Sequence, residues 1–298
     1  MKGRLIVILI IFFCLKTSIL WGITIEGPFS YRINLDTPVK RIVSLSPAIT
    51  ETLFAIGAGT KIVGATIFDN YPEKAKLIPR VGDFSNPNLE KILQLKPDLV
   101  IGIVNIHEKL LIKLLNLGIP CYAFKLYTSL EELYLSIDIL GKFTGMEKEA
   151  KELIRNIKDE FKILSEKSKK LEKRPRVFLA IWDSPLTTVS KKSYINELIE
   201  IAGGENIVSE TDVFFPIYSL EKLIKISPDI IIVAEGEGSM GVSKERLLKV
   251  LDGKGLEAVK KGNVFEINGD IIFRLSPRVL EGARTLYEIF KKWSEKEE

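Results

Sequence analysis

One motif occurs twice in this chain. NLEKILQLKPDLVIGI, from Asn88 to Ile103, returns as SLEKLIKISPDIIIVAE, from Ser219 to Glu235. The glutamates of the two Leu-Glu-Lys triplets, Glu90 and Glu221, stand 131 residues apart, and Pro97 and Pro228 repeat that offset. In each copy a helix pattern runs into a strand pattern. Solenoid units repeat about every 20–50 residues, so this period is too long for one and fits two similar lobes in one chain. Two related α/β lobes leave a cleft between them.

The rest of the pattern alternates strand and helix. Arg41 to Pro47 reads as a strand ending in a helix start, with Ser46 at the cap and Pro47 at the first helical position. Ile49, Leu53 and Ile56 mark one face of the helix that follows. A strand over Lys61 to Thr66, a helix from Glu108 to Asn116 closed by Gly118, a strand over Cys121 to Lys125 and a helix opened by a Ser129/Glu132 capping box complete the first lobe. The second lobe begins with RVFLAIW (176–182) and ends with a strand over Asn263 to Ile267 and a helix from Pro277 to about Glu295. Such alternation implies mainly parallel sheets covered on both faces, and the 46% hydrophobic content suffices for two cores. Between the lobes, Glu147 to Arg174 contains neither Gly nor Pro, and Ala150, Leu153, Ile154, Ile157, Phe161 and Leu164 advance by three or four. This reads as a bridging helix over 146–174, roughly 40 Å long at 1.5 Å per residue, and a rod of that kind predicts little hinge closure. The expected division is thus an N-terminal lobe over 23–145, the bridge, and a C-terminal lobe over 175–298.

Residues 1–22 read as a secretory signal peptide: Lys2 and Arg4 precede the apolar run Leu5 to Leu15, and Gly22 supplies a small residue near the end. Lys16 interrupts the run before it reaches the length of a membrane span. Cys14 follows Phe12 and Phe13, too bulky for the small residue expected before a lipidated cysteine. The chain carries 43 basic and 39 acidic side chains, but three of the basic ones (Lys2, Arg4, Lys16) and no acid lie in this segment, leaving +1 for the remainder. Nucleic-acid binding therefore has no electrostatic footprint here. Beyond the segment Cys121 is the single cysteine, so no intramolecular disulfide forms.

Several functions compete. Gly236-Glu237-Gly238-Ser239-Met240-Gly241 fits GxGxxG, follows the strand Ile230 to Ala234 and precedes a helical stretch, Lys244 to Val250, the context of a dinucleotide fingerprint, with Glu257 or Glu266 as ribose acids. A nucleotide-dependent α/β enzyme using the Gly236 to Gly241 loop is therefore the alternative reading. Against it, Ser243 reads as the helix cap, two residues past the last glycine, and Val104 to Lys109 in the first lobe has no glycine-rich counterpart. A bare Zn or Mn site needs a cluster of His and carboxylates, and the chain has one histidine, His107, on a charged loop after the Leu99–Ile103 strand. It is either solvated or an axial ligand to haem.

Taken in order, RIVSLSPAITETLFAIGAGTKIVGAT, Asn70-Tyr71-Pro72, Val81-Gly82-Asp83-Phe84 ahead of the first repeat, Gly203-Gly204-Glu205-Asn206 and GDIIFRLSPRV (269–279) resemble the periplasmic binding proteins that serve ABC importers of cobalamin and iron complexes. The resemblance covers about residues 40 to 290. It implies two α/β lobes joined by one long helix, capture of a siderophore, haem or cobalamin without chemistry or a cofactor, and a periplasmic or extracytoplasmic monomer docking on a permease dimer. Ligands in open α/β sheets sit at the carboxyl ends of the strands, which makes Phe68, Phe84, Ile103, Trp182, Phe215 and Asp270 to Arg274 candidates. Phe68, Phe84 and Phe215 stand where the cobalamin-binding members carry pocket aromatics, and Asp270 and Arg274 stand in the same C-terminal loop. Singly each phenylalanine is more often core; as a set on loops facing one cleft they read as a pocket. Arg274 meets an anionic group of the ligand or pairs with Asp270. Glu90 and Glu221 match the glutamates that dock onto arginine pockets in the two permease subunits, and each is also an acid favoured in a first helical turn.

Overall fold

The computed structural model describes residues 21–26, 32–125, 128–208, 211–236 and 242–296. The expected signal segment lies outside them except for its last two residues, because strand β1 (Trp21–Glu26) already pairs at Trp21 with the end of antiparallel β2 (Arg32–Thr37).

The first lobe runs β3 (Ile42–Ser44), α1 (Pro47–Ala55), β4 (Ile62–Gly64), α2 (Leu89–Gln94), β5 (Leu99–Ile103), α3 (Glu108–Asn116), β6 (Cys121–Phe124) and α4 (Leu130–Thr144). Its four strands form a parallel sheet in the order β4-β3-β5-β6. After α5 (Glu147–Ser168) come β7 (Arg176–Asp183), β8 (Leu186–Thr188), α6 (Tyr194–Ile201), β9 (Glu205–Asn206), α7 (Leu220–Ile226), β10 (Ile230–Glu235), α8 (Lys244–Leu251), α9 (Glu257–Lys260), β11 (Val264–Asn268), α10 (Asp270–Phe273) and α11 (Val279–Lys296). This sheet is ordered β11-β10-β7-β8, with β9 also on β7 and only β8 antiparallel.

The duplicated unit repeats its caps, stops and clamps at the same offset in both lobes. Asn88 caps α2 by accepting the Lys91 N–H, and Ser219 caps α7 by accepting the Lys222 N–H. Each helix ends at a residue with positive φ, Lys96 at 45° and Ser227 at 48°, a left-handed stop. The aspartate two residues on then holds the lobe's first strand: Asp98 Oδ2 accepts Lys40 and Arg41 N–H at 3.0 and 2.9 Å, and Asp229 Oδ2 accepts Arg176 N–H at 2.8 Å. In return Arg41 donates to the Leu95 and Lys96 carbonyls and Arg176 to that of Ser227, covering helix-end acceptors that have no intrahelical partner.

Side chains alternate across each strand, and both faces are buried. Leu99, Ile101 and Ile103 of β5, Val177, Leu179 and Ile181 of β7, and Ile230 and Ile232 of β10 point into one cluster; Val100 points into an outer cluster of the first lobe, Phe178, Ile231 and Val233 into one of the second. Two cores were expected, yet the central one runs through both lobes. Ala150, Ile157, Phe161 and Leu164 of α5 belong to it, with residues of α4, α6 and α11.

Two expectations are corrected. The bridging helix stops at Ser168 rather than Arg174: the chain turns where Leu171 N–H reaches the Ser168 carbonyl, and Arg174 bonds the Gly204 carbonyl at 2.8 Å. Its 22 residues span about 33 Å. Ser129 caps α4 without a side-chain bond, and Glu132 reaches the Thr128 N–H, one residue outside the capping-box position.

Replacing Asp229 or Asp98 by Ala is expected to cost about 1 kcal/mol each in urea unfolding. The larger loss falls at Asp229, which is half-buried and less easily compensated by water than exposed Asp98.

Candidate functional site

The carboxyl ends of β10 and β11 face a polar cavity of about 590 Å³. Asn70 and Lys76, from the segment after β4, line one side of it, and Glu235, Glu266, Asn268 and Asp270 line the other. It lies between the lobes, as the strand-end rule requires.

Beside the cavity the lobes are joined by a buried ionic network. Glu51 of α1 is 3% exposed and Arg274 is 7% exposed. Arg274 Nη1 lies 3.0 Å from Glu51 Oε1 and 2.7 Å from Asn70 Oδ1, while Nη2 donates to the Phe68 carbonyl at 3.2 Å and pairs with Asp270 Oδ2 at 3.0 Å. Ser276 donates to Glu51 Oε2 at 2.5 Å, Arg278 reaches Glu51 Oε1 at 3.3 Å, and the Arg278 guanidinium lies 3.8 Å from the centroid of the Tyr71 ring. Burial pushes the Glu51 pKa up, against the opposing pull of Ser276, Arg274 and Arg278.

Of the sequence-derived candidates, the structure brings together Phe68, Asp270 and Arg274. Arg274 has its guanidinium engaged by four protein partners, so its place is the lobe junction rather than an open anion site; the Asp270 pairing is the alternative it realises. Phe68 and Phe215, one from each lobe, are each 39% exposed. Phe215 lies on a segment running beside β8, where Phe214 and Pro216 carbonyls accept the Ser190 and Thr188 N–H groups. Trp182 is half-buried near the end of β7, its indole N–H donated to the Ser184 carbonyl at 2.6 Å. Phe84 packs partly into the central core, and Ile103 is fully buried there. Among the described residues Phe84, Trp182 and Phe215 make no ring contact with one another. Glu90 and Glu221 occupy matching, exposed positions in the first turns of α2 and α7.

His107 departs from both expectations for it. It is 1% exposed, with both ring nitrogens bonded to backbone, so it is neither solvated nor turned outward to an axial position. Among the described residues no group of three His, Cys, Asp or Glu side chains is placed to hold a metal ion.

The glycine motif is described only at Gly236, residues 237–241 lying outside the described set. Gly236 has φ +143° and lines the cavity. The helix after it is a poor pyrophosphate seat: Ser243 makes no capping bond, and Glu235 Oε1 accepts the Lys244 N–H at 2.5 Å. A carboxylate thus occupies the end where a dinucleotide would place its phosphates.

A two-lobe α/β molecule with its cavity at the strand ends between the lobes invites comparison with known proteins. The pattern of the periplasmic binding protein family runs through residues 42–271. The chain belongs to that family. An uncharacterized ABC transporter substrate-binding lipoprotein of Bacillus subtilis is 31% identical over 284 residues, 92% of this chain and 86% of that protein. The crystal structure of the periplasmic vitamin B12 binding protein of Vibrio cholerae covers 87% of this chain and 99% of its own, at 26% identity and a TM-score of 0.72. That of a Staphylococcus aureus protein complexed with heme covers 84% and 98%, at 27% identity and a TM-score of 0.71.

The ionic network was missed because Glu51 and Arg274 are 223 positions apart and neither sits in a repeated motif. Arg274→Met would leave Glu51 buried with less compensation, and we expect a loss of about 3–5 kcal/mol in urea unfolding at neutral pH. A Glu51 pKa raised further in the variant means protonation favours its folded form. The deficit should therefore shrink as pH falls and grow as pH rises through that pKa; a pH-independent deficit would contradict the assignment.

Proposed function

We propose that the protein is an extracytoplasmic receptor that captures an iron complex, a siderophore or haem, or cobalamin between its lobes and delivers it to the permease dimer of an ABC importer. The observation that carries this reading is the cavity at the carboxyl ends of β10 and β11, walled by one lobe on each side. Support comes from the exposed phenylalanines that the two lobes contribute, Phe68 and Phe215, and from relatives whose names specify vitamin B12 and heme. The receptor acts by binding alone. Apolar and aromatic surface supplies affinity and a few polar groups fix orientation, a division that assigns stacking to Phe68, Phe84, Trp182 and Phe215 and polar contact to Asp270 at the cavity wall. Arg274 serves that wall indirectly, by holding Asp270 and the Phe68 backbone.

In this reading residues 1–22 are the export signal, 23–145 and 175–298 are the two lobes, and the receptor works as a monomer. Glu90 and Glu221 are the docking carboxylates. Each stands in the first turn of a helix capped and terminated the same way in both lobes, so the pair has the pseudo-symmetry of a two-subunit partner. Such charges set orientation and register more than affinity.

Absorbance titrations with haemin, ferric siderophores and cyanocobalamin test the reading, and failure of all of them to bind the wild-type protein would refute it. Phe84→Ala and Phe215→Ala should each lose about 1 kcal/mol, near fivefold in Kd. The Glu90→Ala/Glu221→Ala double variant should keep wild-type ligand affinity and lose transport in reconstituted vesicles. Loss of ligand affinity with transport intact would reverse the assignment.

A further inference from the structure

The buried imidazole of His107 joins the end of β5 to the turn that carries Phe84. Its Nδ1 lies 2.9 Å from the Ile103 backbone nitrogen, which only donates, so Nδ1 accepts. Its Nε2 lies 2.6 Å from the Phe84 carbonyl oxygen, which only accepts, so Nε2 carries the hydrogen. Both nitrogens are used and the ring is neutral. The Phe84 ring meets the imidazole edge-on, with centroids 5.3 Å apart and planes at 85°. Backbone and side chain of Phe84 therefore rest on one residue 23 positions later. Room for the ring comes from Gly102: a Cβ there would lie 3.0 Å from Nδ1. The turn bearing Phe84 leaves Gly82 at φ +127° and closes on itself, Asp83 Oδ1 taking the Ser85 and Asn86 N–H groups.

We infer that His107 is a positioning residue for the ligand: its neutral imidazole sets the place of Phe84 on the first-lobe side of the cleft, and a proton on Nδ1 breaks that hold. The inference rests on the receptor reading, in which Phe84 is a ligand contact. A proton on Nδ1 would face the Ile103 N–H with nothing to accept it. The charged groups on the surrounding segments are Asp83 on the turn, Glu108 and Lys109 at the start of α3, and Lys125 after β6. None of them hydrogen-bonds the imidazole, whose partners are both backbone. Burial lowers its pKa below the usual 6.5, consistent with the neutral ring that the geometry demands.

His107→Asn separates the two bonds, keeping an acceptor near the Nδ1 position and losing the Nε2 donor. Amide exchange of residues 82–88 should quicken while that of β3 and β5 stays protected. Affinity for whichever of cyanocobalamin, haemin or a ferric siderophore the wild type binds should fall by up to about fivefold, the loss that removing the Phe84 ring itself causes. In a Phe84→Ala background the same change should shift affinity by less than about twofold, because a residue acting through Phe84 has nothing left to place. Wild-type affinity should be constant above the unfolded-state value and fall as pH drops through the lowered pKa, a step absent in Phe84→Ala. Equal losses in both backgrounds, or unchanged exchange of residues 82–88, would overturn the inference. If His107→Asn does not fold, the wild-type profile decides, and affinity that stays flat to the acid limit of the folded state would overturn it. Should none of cyanocobalamin, haemin and ferric siderophores bind the wild type, the receptor reading fails separately, and the exchange measurement still decides whether His107 holds Phe84.

Discussion

The architecture depends on a single apolar core that does not stop at the lobe boundary. The inward residues of β5, β7 and β10 enter the same cluster as the stripe Ala150, Ile157, Phe161 and Leu164 on α5. Sliding one lobe against the other would pull this cluster apart and expose side chains worth about 1.5–3 kcal/mol each when fully buried. The bridging helix is thus one layer of the interior, and packing behind the cavity opposes relative movement of the lobes.

Across the opening, the join is made by directional bonds instead. Glu51, Arg274 and Asp270 are buried together, and each fills donors or acceptors that the others would otherwise leave empty. Buried ion pairs contribute little net stability but are costly to break one-sidedly, so the network specifies how the lobes meet more than how firmly. It also orders the Phe68 carbonyl and Asn70, which brings the cavity wall under its control.

Much of this was legible in the sequence because it is local. The repeat announced two lobes, and its caps, left-handed stops and strand-clamping aspartates recur at the same offset; the Pro-Asp pair in both copies was the available signal for Asp98 and Asp229. The periodicity of 147–164 announced the bridge, but a composition of good helix formers continues past Ser168, where tertiary contacts through Arg174 and Gly204 end the helix. Phe68 and Phe215 were found as exposed rings on strand-end loops. What remained illegible depends on long-range pairing: Glu51 with Arg274, and His107 with Phe84, where a lone histidine gives no sign of the carbonyl it will meet.

The ionic join also responds to heat differently from the core beside it. Hydration of charged groups becomes less favourable as temperature rises, so the penalty for burying Glu51 and Arg274 falls, while apolar stabilisation per unit area levels off. Warming therefore shifts the balance of forces towards the Glu51–Arg274–Asp270 junction. The buried lobe junction beside the cavity thus carries a growing share of the join between the lobes as temperature rises.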